Sequence, residues 1–237
     1  MKKHLLLITL FLGVATTATQ AQDIDFGVRA GVSLANIRGE DANTAVVSQY
    51  TSSVTNVELP AIVANLDFAN LSQADPRPLA SFFAGAYMDL SLLDILHLEP
   101  GLFLASRGYR LENTIPGIAE LDIINRSYYL EIPVYARLFV ADGFNVFVGP
   151  QVAILLSNTF KTDLSAGVGG FNLINLDFEN ENKGDLNNFD VGLALGVGYE
   201  FPFGLHAQLG YDLGLVGFAN NAQAYNGVWK LGAGITF

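Results

Sequence analysis

The stretch from Tyr128 to Ser157 leaves few folds open to this chain. In Tyr128–Val140 the even positions Tyr128, Leu130, Ile132, Val134, Ala136, Leu138 and Val140 are apolar or amphipathic. The odd positions Tyr129, Glu131, Pro133, Tyr135, Arg137 and Phe139 are mixed. After Ala141-Asp142-Gly143 the pattern repeats, with Phe144, Val146, Val148, Val152, Ile154 and Leu156 on one face and Asn145, Gly149 and Gln151 on the other. A period of two places these sets on opposite faces of two long strands joined by a tight turn. A soluble sandwich pairs an apolar inner face with a polar outer one. Here the apolar face is continuous, and the mixed face carries full charges beside glycine and aromatic rings. The pattern predicts a transmembrane β-barrel with lipid outside and a packed, partly charged interior.

The same alternation recurs along the chain. Strand one is expected over about Ile24–Ile37, with Phe26, Val28, Ala30, Val32 and Leu34 facing one way and Asp25, Arg29 and Ser33 the other. Strand two is expected over Ala80–Ser91, with Phe82, Ala84, Ala86, Met88 and Leu90 toward lipid. Strand three covers Leu96–Arg110, strands four and five are the hairpin above, and strand six covers Phe189–Phe201. Strands seven and eight cover Leu205–Leu215 and Tyr225–Phe237. This is an all-β, eight-stranded, antiparallel up-and-down barrel. Its connections alternate long (38–79), short, medium (111–125), short, long (158–188), short, medium. Val54–Leu71, within the first long loop, is less polar and is read as a short helix or strand extension. Bacterial outer-membrane barrels place short turns in the periplasm and long loops outside, which puts both termini in the periplasm. The outward aromatics then form two bands: Phe26, Phe144, Tyr199, Phe201 and Phe237 near the short turns, and Tyr128, Phe189 and Trp229 near the long loops. Amphipathic rings favour the two bilayer interfaces. A soluble eight-stranded barrel of the lipocalin type is the rival fold, but it needs a polar outer face that strands four to six lack.

The ends and the composition fit the same reading. Lys2, Lys3 and His4 precede an apolar run from Leu5 to about Ala15 and a small-residue stretch ending at Ala21, the pattern of a secretory signal peptide over residues 1–21. The barrel domain is then 22–237. The run is too short to span a bilayer as a helix, and no other apolar run reaches that length. The net charge is −11, and it falls to −13 once Lys2 and Lys3 are removed. That acidity argues against nucleic acid as a partner. The absence of cysteine excludes a disulfide framework, thiol chemistry and a lipoprotein anchor.

Leu98-Glu99-Pro100-Gly101-Leu102, Tyr128-Tyr129-Leu130-Glu131-Ile132-Pro133, Val148-Gly149-Pro150 and Phe189-Asp190-Val191-Gly192 resemble the Bacteroidetes-type outer-membrane β-barrel family, the porin-family or PorT-like proteins. Tyr211–Leu215 and the terminal Gly-Ala-Gly-Ile-Thr-Phe fit it as well. The resemblance covers the whole mature chain. It implies an eight-stranded barrel in the bacterial outer membrane, exported by the general secretory route. It implies recognition of the C-terminal strand, ending in Phe237, by the barrel assembly machinery. It implies little about activity; some PorT-like members are linked to protein secretion and gliding.

The inward charges are Arg29, Asp89, Glu99, Arg107, Glu131, Arg137, Asp190, Glu200, Asp212 and Lys230. An eight-stranded barrel is just wide enough for side chains to fill, and buried charges must pair. The expectation is a luminal ion-pair network, in which Glu131 meets either Arg107 or Arg137. Inward Phe83, Tyr87, Phe103, Tyr129, Tyr135, Phe139 and Phe147 fill space, while inward Gly192, Gly196 and Gly198 leave some. Pro133 and Pro150 remove ladder hydrogen bonds inside strands, so local bulges are expected there. His97 and His206 lack the three or four converging ligands of a metal site. No nucleophile elbow, zinc-protease motif or phosphate loop occurs. No catalytic residue, metal or cofactor is assigned.

Three function classes follow. The first is a non-enzymatic barrel embedded in outer-membrane lipid, meeting a protein or surface ligand through its outer loops. The second is a narrow channel for ions or small solutes. The third is an accessory role in protein secretion. An enzyme has no motif to support it.

Overall fold

Alternation becomes a closed ring in the computed structural model of the chain, which describes residues 23–42, 44–46, 76–115, 119–168, 171–181, 187–217 and 223–237. The strands are β1 (Asp23–Arg38), β2 (Arg77–Leu93), β3 (Leu96–Ile115), β4 (Ala119–Phe139), β5 (Phe144–Val168), β6 (Phe171–Glu181), β7 (Phe189–Glu200), β8 (Leu205–Gly217) and β9 (Tyr225–Thr236). Each strand pairs antiparallel with its ring neighbours in the order β1-β2-β3-β4-β5-β7-β8-β9, and β9 pairs back to β1. Phe26 and Phe237 exchange backbone bonds of 3.1 and 2.8 Å where the two ends of the chain meet. The barrel therefore has eight strands. Among the described residues β6 pairs with β5 alone and stands outside the ring.

The register fixes the width of the bore. Ile24 pairs with Leu90, Leu90 with Leu98, Leu98 with Ala136 and Ala136 with Val148. Val148 pairs with Leu195, Leu195 with Tyr211, Tyr211 with Trp229, and Trp229 with Leu34. One circuit thus returns to β1 ten residues beyond its start. Eight strands spaced about 4.8 Å apart, with that stagger at about 3.3 Å per residue, tilt by about 40°. The backbone cylinder is then about 16 Å across, which side chains from opposite walls can bridge.

The three tight turns at Asp94-Ile95, Ala141–Gly143 and Pro202–Gly204 lie at one end, with the chain termini of the barrel. Gly143 and Gly204 hold φ of 72° and 83°, which suits glycine. The long connections lie at the other end. There β1 runs on into a helical turn, where Ala45 N–H donates to the Asp41 carbonyl at 2.8 Å and Val46 is fully buried.

Several expectations require correction. Residues 111–125 are not a loop: β3 continues to Ile115 and β4 begins at Ala119, paired from Arg110↔Ile124 to Ile115↔Ala119. Residues 158–188 likewise contain the end of β5 and all of β6. Glu112, Asp122, Lys161 and Asp163, polar residues that suggested loops, share the outer face of these longer strands. Pro133 and Pro150 produce no bulge. The β4–β5 register is the same on both sides of them, and only the rungs at Val134 and Tyr135 drop out. The bulge in that ladder lies at Tyr128/Tyr129, opposite Leu155–Ser157, and it flips which β5 residues face inward above it. Leu90 is fully buried instead of meeting lipid; it lies just before the β2–β3 irregularity at Ser91/Leu93. Val54–Leu71 and the signal-peptide segment lie outside the described residues.

The outer wall is apolar through its middle. Val28, Val32, Leu102, Leu104, Val148, Leu195, Leu209 and Leu231 are all exposed. Their inward neighbours Phe83, Tyr87, Phe103, Tyr129, Tyr135 and Phe147 are buried. The faces are inverted relative to a water-soluble barrel, as lipid requires.

Candidate functional site

Two polar layers cross the lumen. The layer nearer the long connections is built from six strands and centres on Glu131. Arg107 donates from Nε and a terminal nitrogen to Glu131 Oε1 at 2.9 and 2.6 Å. Lys230 donates to Glu131 Oε2 at 2.5 Å and lies 2.6 Å from Asp212 Oδ2. Arg107 also donates to Asp190 Oδ2 at 2.7 Å. Gln151 donates to Asp212 at 3.1 Å, and Asn226 to Asp190 at 2.9 Å. Two cations meet three carboxylates, all buried. Removing either cation leaves three buried carboxylates facing a single positive charge.

The second layer, toward the tight turns, centres on Glu99. Arg29 grips it through both carboxylate oxygens at 2.8 Å each, and Arg137 donates to Oε2 at 2.8 Å. Arg29 Nε donates to His206 Nε2 at 2.9 Å, so that imidazole nitrogen acts as an acceptor. Arg137 also bonds Asn145 at 2.6 Å and Gln208 at 3.2 Å. Here two cations meet one carboxylate, so the formal excess charge of one layer opposes that of the other. Every luminal cation of the two layers also lies over a ring: Arg29 over Tyr87, Arg107 over Tyr129, Arg137 over Phe147 and Lys230 over Phe83, at 4.3–5.3 Å. Cation–π contact partly replaces the water these groups lose.

Of the expected inward charges, eight enter the two layers. Asp89 instead accepts from or pairs with His97 at 2.9 Å. Glu200 is half-buried at the tight-turn mouth. Glu131 takes Arg107, one of its two expected partners, while Arg137 binds Glu99. The luminal amides Asn145, Gln151, Gln208 and Asn226, and the role of His206, went unassigned in the sequence, although their inward parity marks them.

The bore is closed. A void beside the upper layer, lined by Arg107, Gln151, Asp190 and Asp212, measures about 10 Å³, room for one water at most. At the tight-turn end an open vestibule of about 780 Å³ is lined by Asp25, Asp94, His97, Phe139, Asp142 and Glu200 among others. Among the described residues no group of three His, Cys, Asp or Glu is placed to hold a metal.

The expected interface aromatics are all exposed on the wall. Tyr199 packs edge-on to Phe201 at 4.9 Å and Phe201 stacks on Phe203 at 5.6 Å at the tight-turn end. At the other end Tyr128 meets Phe82 at 6.5 Å, and Trp229 meets Tyr211 at 4.9 Å. Phe82, Phe203 and Tyr211 extend the bands read from the sequence. Phe189 and Tyr199 are ten residues apart on β7. At about 3.3 Å per residue and a tilt of about 40°, that is about 25 Å of bilayer height, the span of an outer-membrane apolar band.

Above Tyr128 the outer face of β3–β4–β5 changes chemistry in rows. Gly108, Arg126 and Thr159 are paired neighbours; next come Arg110, Ile124 and Lys161, then Glu112, Asp122 and Asp163. Arg110 bonds Asp122 at 2.8 and 2.6 Å and lies 3.2 Å from Glu112, which also pairs with Arg77. On these three strands the outer face is therefore apolar below Tyr128 and mostly polar or charged above it.

The family described as outer membrane protein beta-barrel domain matches residues 20–220, and the chain belongs to that family. No curated protein matches the sequence. Among solved structures, Neisserial surface protein A is similar at 10% identity and a TM-score of 0.44, covering 91% of this chain and 100% of that one. Ail, the attachment invasion locus protein of Yersinia pestis, is similar at 8% identity and a TM-score of 0.40, with the same coverage. Family and ring topology together make this an outer-membrane β-barrel protein of the bacterial envelope.

Proposed function

We propose that the protein is a non-enzymatic outer-membrane barrel that acts through its outer surface, the lumen serving as a rigid filling and not as a pathway. The observation that carries this reading is the pair of ion-paired layers around Glu131 and Glu99, which cross the bore in series. A second support is the reach of β3, β4, β5 and β6 beyond the membrane band, which holds a sheet in the external water. Loops on a rigid scaffold are where binding specificity concentrates. In this reading the chain is exported through the general secretory route, is inserted by the barrel assembly machinery through β9, and keeps both termini in the periplasm. Outer-membrane lipid surrounds it, and a protein or surface ligand meets its outer end.

The channel reading competes directly. The test is planar-bilayer conductance of a preparation that runs as a folded, heat-modifiable band on a gel. A flat trace is expected; stepwise openings would replace the filled-barrel reading with the channel. A PorT-like secretion role draws support from the resemblance of the Leu-Glu-Ile-Pro and Gly-Pro segments alone. Deleting the gene and assaying secreted protein would test it, and unchanged secretion would remove it.

A further inference from the structure

The described cations outside the lumen are distributed very unevenly. Arg38 is tied to the Gly214 carbonyl and lies over Tyr225. The remaining four, Arg77, Arg110, Arg126 and Lys161, all lie on the outer ends of β2–β5. The tight-turn end has acids and no described lysine or arginine on its surface, in a chain of net charge −11. The described surface cations therefore form a cluster at one end, interleaved with the carboxylates Glu112, Asp122, Asp163 and Glu179.

Its height is set by the register. Arg126 is two residues above Tyr128 on the same strand face, and Tyr128 belongs to the outer aromatic band. Arg110 and Lys161 flank it one row higher, on either side of Ile124. Arg110 is engaged by Asp122, and Lys161 has Asp163 at 3.4 Å. Arg126 has no hydrogen-bond or ion-pair partner among the described residues, and its paired neighbours Gly108 and Thr159 carry no charge. An unpaired guanidinium directly above an interfacial ring sits where a lipid headgroup lies. A guanidinium also matches phosphate oxygens in a two-pronged geometry.

We infer that the outer face of β3–β4–β5 around Arg126 is a binding site for the phosphorylated headgroup of an outer-leaflet glycolipid, with Arg110 and Lys161 as flanking cations. The acyl chains would run down the wall past Tyr128 and Leu130. The carboxylate row of Glu112, Asp122 and Asp163 stands above the phosphate and keeps Arg110 and Lys161 oriented without neutralising Arg126. The inference rests on the outer-membrane reading and goes beyond the proposed function in naming a lipid site on the wall.

The experiment uses the folded, heat-modifiable protein in phosphatidylcholine nanodiscs doped with bis-phosphorylated lipid A or with the same lipid A after removal of its phosphates. Native mass spectrometry then counts the glycolipid retained. The phosphorylated form is expected to be retained in excess, and Arg126→Ala to reduce that excess about fivefold, the effect of one cation near an anionic membrane surface. Arg126→Lys should restore most of it. Equal retention of the two lipid forms by the unmodified protein would overturn the proposal, and needs no variant to fold. So would an Arg126→Ala protein that keeps the full excess. Displacement of the lipid by millimolar inorganic phosphate would overturn the assignment to a lipid and leave a free-anion site. Loss of heat-modifiability in the unmodified protein would instead count against the barrel reading itself.

Discussion

Glu131 and Lys230 meet across the full width of the barrel, with Oε2 and Nζ 2.5 Å apart. Their strands, β4 and β9, lie four places apart in a ring of eight, so the pair joins opposite walls. Arg107 shares Glu131, and Asp212 shares Lys230. The layer is a crossed brace, and its charge count decides how it fails.

Glu131→Gln takes a carboxylate from between two cations. Breaking a buried pair from one side costs about 3–5 kcal/mol. The remaining carboxylates Asp190 and Asp212 still face Arg107, which places the expected loss at the lower end of that range. Urea unfolding in lipid vesicles, followed by the heat-modifiable band shift, measures it. An unchanged midpoint would mean that the brace does not contribute to stability.

Lys230→Met is expected to be worse than Glu131→Gln. It leaves Glu131, Asp190 and Asp212 with Arg107 as the only cation of the layer. Adding Asp212→Asn should recover much of the loss, because the second change removes a carboxylate that the first left unpaired. Non-additivity in the double-mutant cycle is the readout. Strictly additive losses would show that Lys230 and Asp212 act independently.

The alternation that makes all these residues inward was legible in the sequence; their pairing was not. Which residues meet across the bore depends on the ten-residue stagger, and the stagger is a property of the closed ring. Locally, Arg107 and Arg137 were equivalent partners for Glu131. The structure separates them because Arg107 lies toward the long-connection end with Glu131, while Arg137 lies toward the tight turns with Glu99. Lys230 is the last charged residue in the chain and reaches Glu131 only once β9 closes on β1. The strands beyond Tyr128 were missed for a different reason. Arg126, Asp122 and Glu112 are what a water-facing strand carries, and the same residue types also mark loops.

Conductance should need two lesions. Glu131→Ala with Lys230→Ala thins the upper layer but leaves Arg29 and Arg137 clamped on Glu99. The double variant is expected to stay silent in a planar bilayer. Conductance should appear only when Glu99→Ala and Arg137→Ala are added. Stepwise openings from the first pair alone would show that the lower layer is no barrier.

Gly149 tests the closeness of the strands at the two prolines. A Cβ built there would lie 1.9 Å from the Val134 carbonyl oxygen and 2.8 Å from its carbon. These are backbone atoms of β4 and cannot turn aside. Gly149→Ala is expected to abolish the heat-modifiable band or lower its transition sharply. At Gly27 the nearest atoms belong to the Tyr87 ring, and Gly27→Ala should be milder because a side chain has more room to shift than a strand.

The upper limit of the membrane can be located by moving one arginine along β4. Ile132 and Ile124 are on the same face of the strand, four residues below and four above Tyr128. If the aromatic band marks the interface, Ile132→Arg places a charge in the hydrocarbon, at a cost of about 2–4 kcal/mol, falling to about 0–1 kcal/mol near and beyond the interface. Ile124→Arg should therefore be nearly silent. It lies between Arg110 and Lys161, and the small loss expected comes from like-charge repulsion across the strands, relieved in part by Asp122. Refolding into vesicles of defined thickness, with unfolding midpoints for both variants, decides it. Equal costs at the two positions would mean that the apolar wall does not end at Tyr128. The sheet above it would then have to be read as part of the membrane span.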